Sequence, residues 1–204
     1  METLFSEAIR TCYSLENSVY DFEFSDEVIS LKFETKNFYH LLGFQYLENL
    51  NRYTESGKSK SIVDKALLFK NLKKQVLYGD ISQNNYYKKI STSGQFYDLK
   101  GRLELARELT YFLDTLISKN SYWKYTNQFG VRTHIKWDYL IEFQPHMENP
   151  KRYYLFIRKD ESSDYYVPIT LFKTDQLNHD KEYSFKQTRK IIKSVTKKCD
   201  VVQR

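Results

Sequence analysis

Five residues of the chain are candidates for a site of proton transfer and phosphate binding. Histidine titrates near ~pH 6.5, so His40 is a candidate general base or acid at neutral pH. Lys136 and Arg158 are candidate phosphate clamps, since an arginine fork can meet two phosphate oxygens at once. Thr170 and Tyr154 are candidate hydrogen-bond donors to phosphate, and the Tyr154 ring could instead stack on a base. Together these residues predict a site that binds phosphate beside a group able to move a proton.

Each of these assignments has a plainer alternative. A single histidine in an apolar helix is commonly a packed boundary residue. Lys136 and Arg158 also fit an exposed strand face. Thr170 fits a strand on β-propensity alone, which is the favoured reading of that residue.

The stretch 28–47 positions His40. An apolar run of alternating residues predicts a strand that ends before the polar segment 34–37. An apolar period near 3.6 then predicts a helix with Asn37 as its N-cap and His40 in its first turn. Gly43 has no side chain, so another backbone or a ligand can approach closely one turn after His40.

The other four candidates lie in strands predicted over residues 134–143, 152–159 and about 166–172. The polar turn 160–164 makes 152–172 a predicted hairpin. In its second strand Tyr166, Pro168, Thr170 and Phe172 are expected to share one side. Whether the cations and hydroxyls of these strands meet on one face depends on strand register, which the sequence does not reveal.

The remaining pattern predicts an α+β fold of one domain over residues 1–204. Apolar spacing predicts helices over 2–16, 61–79 and 102–118. The N-terminal and middle helices are expected to pack on a mainly antiparallel C-terminal β-sheet. The predicted organisation is a helix-rich region 1–120, a strand-rich region 121–173 and a basic C-terminal helix 185–198.

Basic charge is concentrated in two segments. Residues 51–100 contain ten basic and four acidic side chains, and residues 181–204 contain eight and two. Such segregation favours contact with a polyanion, although solvated helix faces are an equal alternative. The predicted nucleic-acid contacts are Lys73, Lys74, Lys190 and Lys193.

Several classes of protein are not favoured. The two cysteines, Cys12 and Cys199, form no metal or disulfide pattern, and no histidine has metal-ligand spacing. We find no cofactor fingerprint, and the GKSKS segment at 57–61 lacks the upstream glycine of a phosphate loop. No stretch reaches the ~18 apolar residues of a membrane helix. We therefore expect a cytoplasmic protein without a cofactor, a metal or a membrane partner.

A family resemblance is carried by four segments. The phrase F-Y-H-L-L-G-F at 38–44, after an extended apolar run, resembles the signature of a bacterial and phage-borne family of the barnase, EndoU, colicin and RelE-like nuclease superfamily. The segment 135–141 resembles its later K-x-D-Y-L-I strand, and 153–156 and 167–172 resemble its final strands. The family suggests a serine at the position of Thr170. The threonine keeps the hydroxyl group of that serine.

The resemblance implies a metal-independent ribonuclease with a toxin-like or phage-conflict role. It supports His40 most, Lys136 and Thr170 less, and Arg158 and Tyr154 least. RNA would be the substrate, and an antitoxin or immunity protein would be a possible partner. The alternative is a protein without catalytic activity that binds nucleic acid or a partner through its basic helices.

Overall fold

The structure is a computed structural model of the 204-residue chain. It describes residues 1–53, 59–115, 136–143, 152–174 and 190–199. The chain divides into two compact units. The first contains residues 1–16 and 34–110, and the second contains 17–33 and the chain from Tyr111 onward. This division into compact units does not test the expectation of a single domain, which stays a prediction.

The described residues contain helices and strands in mixed order, which confirms the α+β class. The helices are α1 (Glu2–Leu15), α2 (Phe38–Leu41), α3 (Lys65–Tyr78), α4 (Asn85–Ser91) and α5 (Lys100–Thr115). The strands are β1 (Ser18–Glu23), β2 (Val28–Lys32), β3 (Asn51–Tyr53), β4 (Ser59–Ser61), β5 (Tyr139–Phe143), β6 (Arg152–Lys159), β7 (Tyr166–Thr174) and β8 (Ser194–Cys199).

The helices predicted over 2–16, 61–79 and 102–118 correspond to α1, α3 and α5. Apolar residues spaced three or four apart place one stripe of each helix in the core. The buried stripes are Phe5, Ala8, Ile9, Cys12 and Leu15 in α1, and Leu68, Phe69, Leu72 and Val76 in α3. Burial raises the pKa of the Cys12 thiol, because the stripe excludes water from it.

Side-chain caps set the starts of two helices in the first unit. Asp64 precedes α3 and accepts a hydrogen bond from the Leu67 backbone N–H at 2.8 Å. Asn84 precedes α4 and accepts from the backbone N–H groups of Tyr86 and Tyr87 at 2.9 and 3.1 Å. Each cap satisfies donors that lack an intrahelical partner. Lys65 is thereby fixed as the first residue of α3.

The second unit is built on a six-stranded, curled sheet. Its strand order is β5-β6-β7-β2-β1-β8. Neighbouring strands are antiparallel except for β2 and β7, which run parallel with Leu31 beside Tyr166. The strand predicted before the polar segment 34–37 corresponds to β2, which pairs antiparallel with β1 as a hairpin. The sheet therefore combines an N-terminal hairpin with the predicted strands β5, β6 and β7 and with the C-terminal strand β8.

The prediction of a basic helix over 185–198 is wrong over residues 194–198, which form most of β8. Residues 185–189 lie outside the described residues. Strand β8 pairs antiparallel with β1, and Val195, opposite Phe22, is buried. The edge of β1 offers backbone hydrogen bonds along the whole segment, and this pairing competes with the helical pattern.

Candidate functional site

His40 is the third residue of α2, which follows a 3-10 turn at Thr35–Asn37. Glu34 and Asn37 bond reciprocally across this turn. The Glu34 side chain accepts from the Asn37 backbone N–H, and Asn37 Oδ1 accepts from the Glu34 backbone N–H at 2.8 Å. Asn37 precedes α2 as predicted, but its side chain bonds backward to Glu34 and makes no cap to α2. This capping box sets the point at which the His40 helix begins.

The His40 ring contacts a lysine. Its Nε2 atom lies 3.1 Å from Nζ of Lys65, and both side chains are half-buried. An ammonium group donates hydrogen bonds and cannot accept them, so Nε2 is the acceptor. The neutral imidazole therefore carries its proton on Nδ1, an assignment made from the hydrogen-bond pattern.

The Tyr39 ring contacts both members of this pair. Lys65 Nζ lies 5.1 Å from the centre of the Tyr39 ring, and the His40 ring packs edge-on to the same ring at 5.6 Å. The face of an aromatic ring attracts a cation. The Tyr39 hydroxyl donates to Oδ1 of the buried Asn51 at 2.8 Å, and Asn51 Nδ2 in turn donates to two backbone carbonyls of the first unit. These bonds hold the His40–Lys65 pair in one place.

The space beside the Cα of Gly43 is taken up by neighbouring side chains, so the close approach expected at this glycine is made by side chains. Its φ is +79°, in the left-handed region that favours glycine. A Cβ added there would lie 2.6 Å from Cδ of Arg102 and 3.0 Å from Cδ2 of Leu99. The Arg102 guanidinium lies 4.9 Å from the centre of the Tyr46 ring. The space beside Gly43 is therefore occupied by Arg102.

Two of the sheet candidates are buried. Tyr154 is 0% exposed and Thr170 is 3% exposed. Tyr154 belongs to an apolar cluster with Trp137, Leu140 and Phe156. Thr170 lies opposite Phe156 in the register of β6 and β7, so it occupies the same face as Tyr154. Their assignment as phosphate ligands stays a prediction, and their burial favours a packing role.

A β-bulge changes the face of the last strand. Thr170 pairs with Phe156, but Pro168 pairs with the next residue, Ile157. Neighbouring residues in a strand point to opposite faces. The expectation that Tyr166, Pro168, Thr170 and Phe172 share one side is therefore wrong, because the extra residue Ile169 puts the first two on the face opposite the last two.

The two predicted phosphate clamps are exposed. Arg158 lies in β6 opposite Val167, and Lys136 immediately precedes the buried Trp137. Both belong to the second unit, as do Tyr154 and Thr170, whereas His40 belongs to the first. The roles of Arg158 and Lys136 at a shared phosphate site stay predictions.

The predicted nucleic-acid contacts differ in how far their charge is already balanced. Lys73 is half-buried, donates to Glu16 Oε2 at 2.7 Å and lies over the Tyr13 ring at 4.6 Å. Lys74, its neighbour in α3, is exposed. The charge of Lys73 is therefore committed within the first unit, and Lys74 is the better placed of the two to meet a polyanion.

The second unit shows the same contrast. Lys190 donates to Glu27 Oε1 at 2.9 Å and also contacts Asp26, whereas Lys193 is exposed. Glu27 accepts a second bond from the Tyr139 hydroxyl at 3.1 Å. Burial raises the pKa of Tyr139 and of the neighbouring Tyr166, and a hydrogen bond joins the two phenols. Lys190 is thus part of a network that ties β5 to the β1–β2 turn.

Lys65 is the site residue that sequence reasoning missed. In the sequence it is one of the ten basic residues of segment 51–100, and nothing there distinguishes it from its neighbours. The contact to His40 joins residues 25 positions apart. Asp64 as an N-cap predicts where α3 begins, but no local pattern indicates that the first residue of α3 reaches His40.

Three further findings bear on the class of protein. Within the described residues, no cluster of three or more His, Cys, Asp or Glu side chains is placed to hold a metal ion. The described helices include none with the length and apolar character needed to cross a membrane. The chain matches no family model, and comparisons with curated proteins and with solved structures also returned no match.

Proposed function

We propose that the chain is a metal-independent ribonuclease that cleaves RNA by attack of the 2′-hydroxyl on the adjacent phosphate. The observation that carries this proposal is the 3.1 Å contact between His40 Nε2 and Lys65 Nζ. It joins a group that moves protons at neutral pH to a cation suited to a phosphate oxygen. The resemblance of the segment 38–44 to a nuclease family supports the same reading.

On substrate binding, a phosphate oxygen would replace His40 Nε2 as the hydrogen-bond acceptor of Lys65. In the free protein the ammonium donates to Nε2, so the lone pair of that nitrogen is engaged. A non-bridging phosphate oxygen offers Lys65 a charged acceptor and leaves Nε2 to take the proton of the 2′-hydroxyl. Because both side chains are half-buried, the exchange takes place where water is partly excluded and charge interactions are strengthened.

The bonds then change in order. The 2′-oxygen bonds to phosphorus, Lys65 stabilises the charge on the phosphorane, and the bond to the 5′-oxygen breaks. The departing 5′-oxygen takes its proton from solvent, and the imidazolium of His40 then releases the proton of the 2′-hydroxyl to solvent. The products are a cyclic 2′,3′-phosphate and a 5′-hydroxyl, and no external nucleophile is consumed. A toxin-like role, restrained by an antitoxin or immunity protein, follows from the family resemblance.

Cleavage of a single-stranded oligoribonucleotide in excess EDTA tests the proposal. We expect cyclic 2′,3′-phosphate ends from the wild type and a fall in kcat of about 10²–10⁴-fold in His40→Ala. Lys65→Met should also lower kcat. Lys70→Met is the matched control, because Lys70 is an exposed lysine of the same helix. It should leave kcat unchanged.

Three results would contradict the proposal. Equal kcat in His40→Ala and the wild type removes His40 from the mechanism. Cleavage of an all-deoxy substrate removes the 2′-hydroxyl as the nucleophile. Loss of activity in EDTA, restored by a divalent cation, makes the reaction metal-dependent.

The second candidate function is nucleic-acid binding without turnover. The exposed side chains of Lys74 and Lys193 favour it, since neither is paired with a carboxylate among the described residues. This function predicts affinity that falls steeply with salt and no cleavage product. His40→Ala would then be silent, whereas neutralising Lys74 and Lys193 would weaken binding.

A further inference from the structure

Two cations face each other on the β3–β4 hairpin of the first unit. Arg52 of β3 lies directly opposite Lys60 of β4, and both side chains are exposed. Opposite residues of an antiparallel pair have Cβ atoms about 4.5–5.5 Å apart and point to the same face, where like charges destabilise the pairing. Within the described residues neither cation forms an ion pair with a carboxylate.

Cations on the large sheet are arranged differently. Lys198 of β8 pairs with Asp21 of β1. Lys32 of β2 lies over the Tyr165 ring at 5.0 Å. Each therefore has a carboxylate or an aromatic face nearby that offsets its charge. The Arg52–Lys60 pair lacks such compensation among the described residues, and an external anion would supply it.

The base of this hairpin is attached to the His40 turn. Asn51, the residue before Arg52, is buried and accepts the hydrogen bond of the Tyr39 hydroxyl at 2.8 Å. Tyr39 is the neighbour of His40 in α2 and holds Lys65 Nζ 5.1 Å from its ring centre. Both features belong to the first unit. Their relative placement is set by buried hydrogen bonds, which suits a surface that must present a long ligand to a fixed catalytic group.

We propose that Arg52 and Lys60 bind the phosphodiester backbone of single-stranded RNA that extends from the His40–Lys65 pair. This inference rests on the proposed function, which supplies RNA as the polyanion and the His40–Lys65 pair as the point from which the strand extends. Arginine can bond two oxygens of one phosphate, and lysine can neutralise a neighbouring phosphate as a point charge. Contacts of this kind position a strand without reading its sequence, so binding should tolerate changes of base.

A binding assay that does not depend on cleavage tests the surface. The probe is a fluorescent 2′-O-methyl oligoribonucleotide, which has no attacking hydroxyl, and anisotropy gives its affinity for the full chain at several KCl concentrations. The variant is Arg52→Gln with Lys60→Gln. The control is Lys88→Gln with Lys89→Gln, which removes the same charge from exposed residues of α4. Each single-stranded phosphate contact makes the slope of log K against log salt more negative by about 0.7, so loss of two contacts in the hairpin variant should reduce the magnitude of that slope by about 1.4.

Each outcome decides for or against the surface. An unchanged slope in the hairpin variant, or an equal fall in the control, overturns the inference, because the attraction would then be general. Displacement of RNA by polyglutamate at equal charge concentration overturns it in favour of an acidic protein partner. If the wild type cleaves no RNA but the hairpin variant still shows a salt slope of smaller magnitude than the wild type, the binding surface is supported and the ribonuclease proposal fails.

Folding of the variant needs its own measurement. Removal of a like-charge pair relieves repulsion, so the thermal midpoint of the hairpin variant without RNA should be equal to or above that of the wild type. A loss of affinity at an unlowered midpoint is therefore a loss of contacts. A lowered midpoint without RNA would show that Arg52 and Lys60 support the hairpin, and would overturn their assignment as uncompensated cations.

Discussion

The His40–Lys65 pair of the first unit and the Tyr154–Thr170 face of the second unit are both polar, yet they differ in solvent access. His40 and Lys65 are half-buried and contact each other at 3.1 Å. Tyr154 and Thr170 are at most 3% exposed on a sheet face that also carries an apolar cluster. A polar group sealed in a sheet has committed its hydrogen bonds, whereas a half-buried pair can exchange one partner for a ligand. Residue type alone therefore overestimates how many polar side chains can meet a substrate.

Substitution of Tyr154 is expected to have the largest effect on stability. Removal of a fully buried aromatic side chain in Tyr154→Ala should lower the free energy of unfolding by about 3–5 kcal/mol, because a cavity is left against Trp137 and Phe156. His40→Ala, at a half-buried position, should lower it by less. Urea denaturation of both variants measures the difference.

Tyr154→Phe separates packing from substrate contact at the same position. If the ring only packs, the proposed ribonuclease function predicts the same cleavage rate in this variant as in the wild type. A large fall in kcat with little change in unfolding free energy would assign the Tyr154 hydroxyl to the reaction, and the contrast drawn between the two regions would fail.

Substitution of Gly43 is expected to have an intermediate effect. Gly43→Ala places a Cβ 2.6 Å from Arg102 Cδ at a φ of +79°, so it should cost about 1–2 kcal/mol from backbone strain, with the contact in addition. Gly101→Ala is the matched control, since a Cβ there meets nothing within 4 Å and helix α5 should gain about 0.5–1 kcal/mol. Thermal denaturation of the two variants should shift the midpoint in opposite directions. A stable Gly43→Ala would show that Arg102 and the turn after His40 rearrange easily.

Alkaline pH is expected to have the smallest effect, confined to the second unit. Burial raises the pKa of Tyr166 above its ordinary value of 10.0, so the unfolded chain loses this proton first. Between the two pKa values the folded state binds more protons, and the free energy of unfolding falls as pH rises above about 10. Tyr166→Phe should make this fall shallower in urea titrations at pH 9 to 11. Identical pH profiles for variant and wild type would contradict the assignment.

The amphipathic helices were accessible to prediction because their signal is local. Helix α1 was predicted over 2–16 and extends over Glu2–Leu15, and the hairpin of β6 and β7 follows the polar turn at 160–164. Apolar spacing along a few turns, or a cluster of turn residues between two strands, determines such elements before any long-range contact forms.

The C-terminal strand shows where a local signal misleads. Ile192 and Val195 are three positions apart, which fits one face of a helix, and both are buried in the structure. Residues 194–199 form a strand instead, because the edge of β1 provides hydrogen-bond partners for their backbone groups. The β-bulge at Ile169 is a second case, since an extra residue in a strand moves side chains between faces without a clear mark in the sequence.

The composition and spacing of the chain were sufficient to predict its α+β class and its main helices, and they make His40 the first candidate for proton transfer. Tertiary contacts alone selected Lys65 as the partner of His40, sealed Tyr154 and Thr170 in the sheet, and set Arg52 against Lys60. The physical reason is that the two kinds of information act over different distances along the chain. Periodicity reports which face of an element avoids water, but register and the meeting of distant residues depend on packing between elements that no single segment encodes.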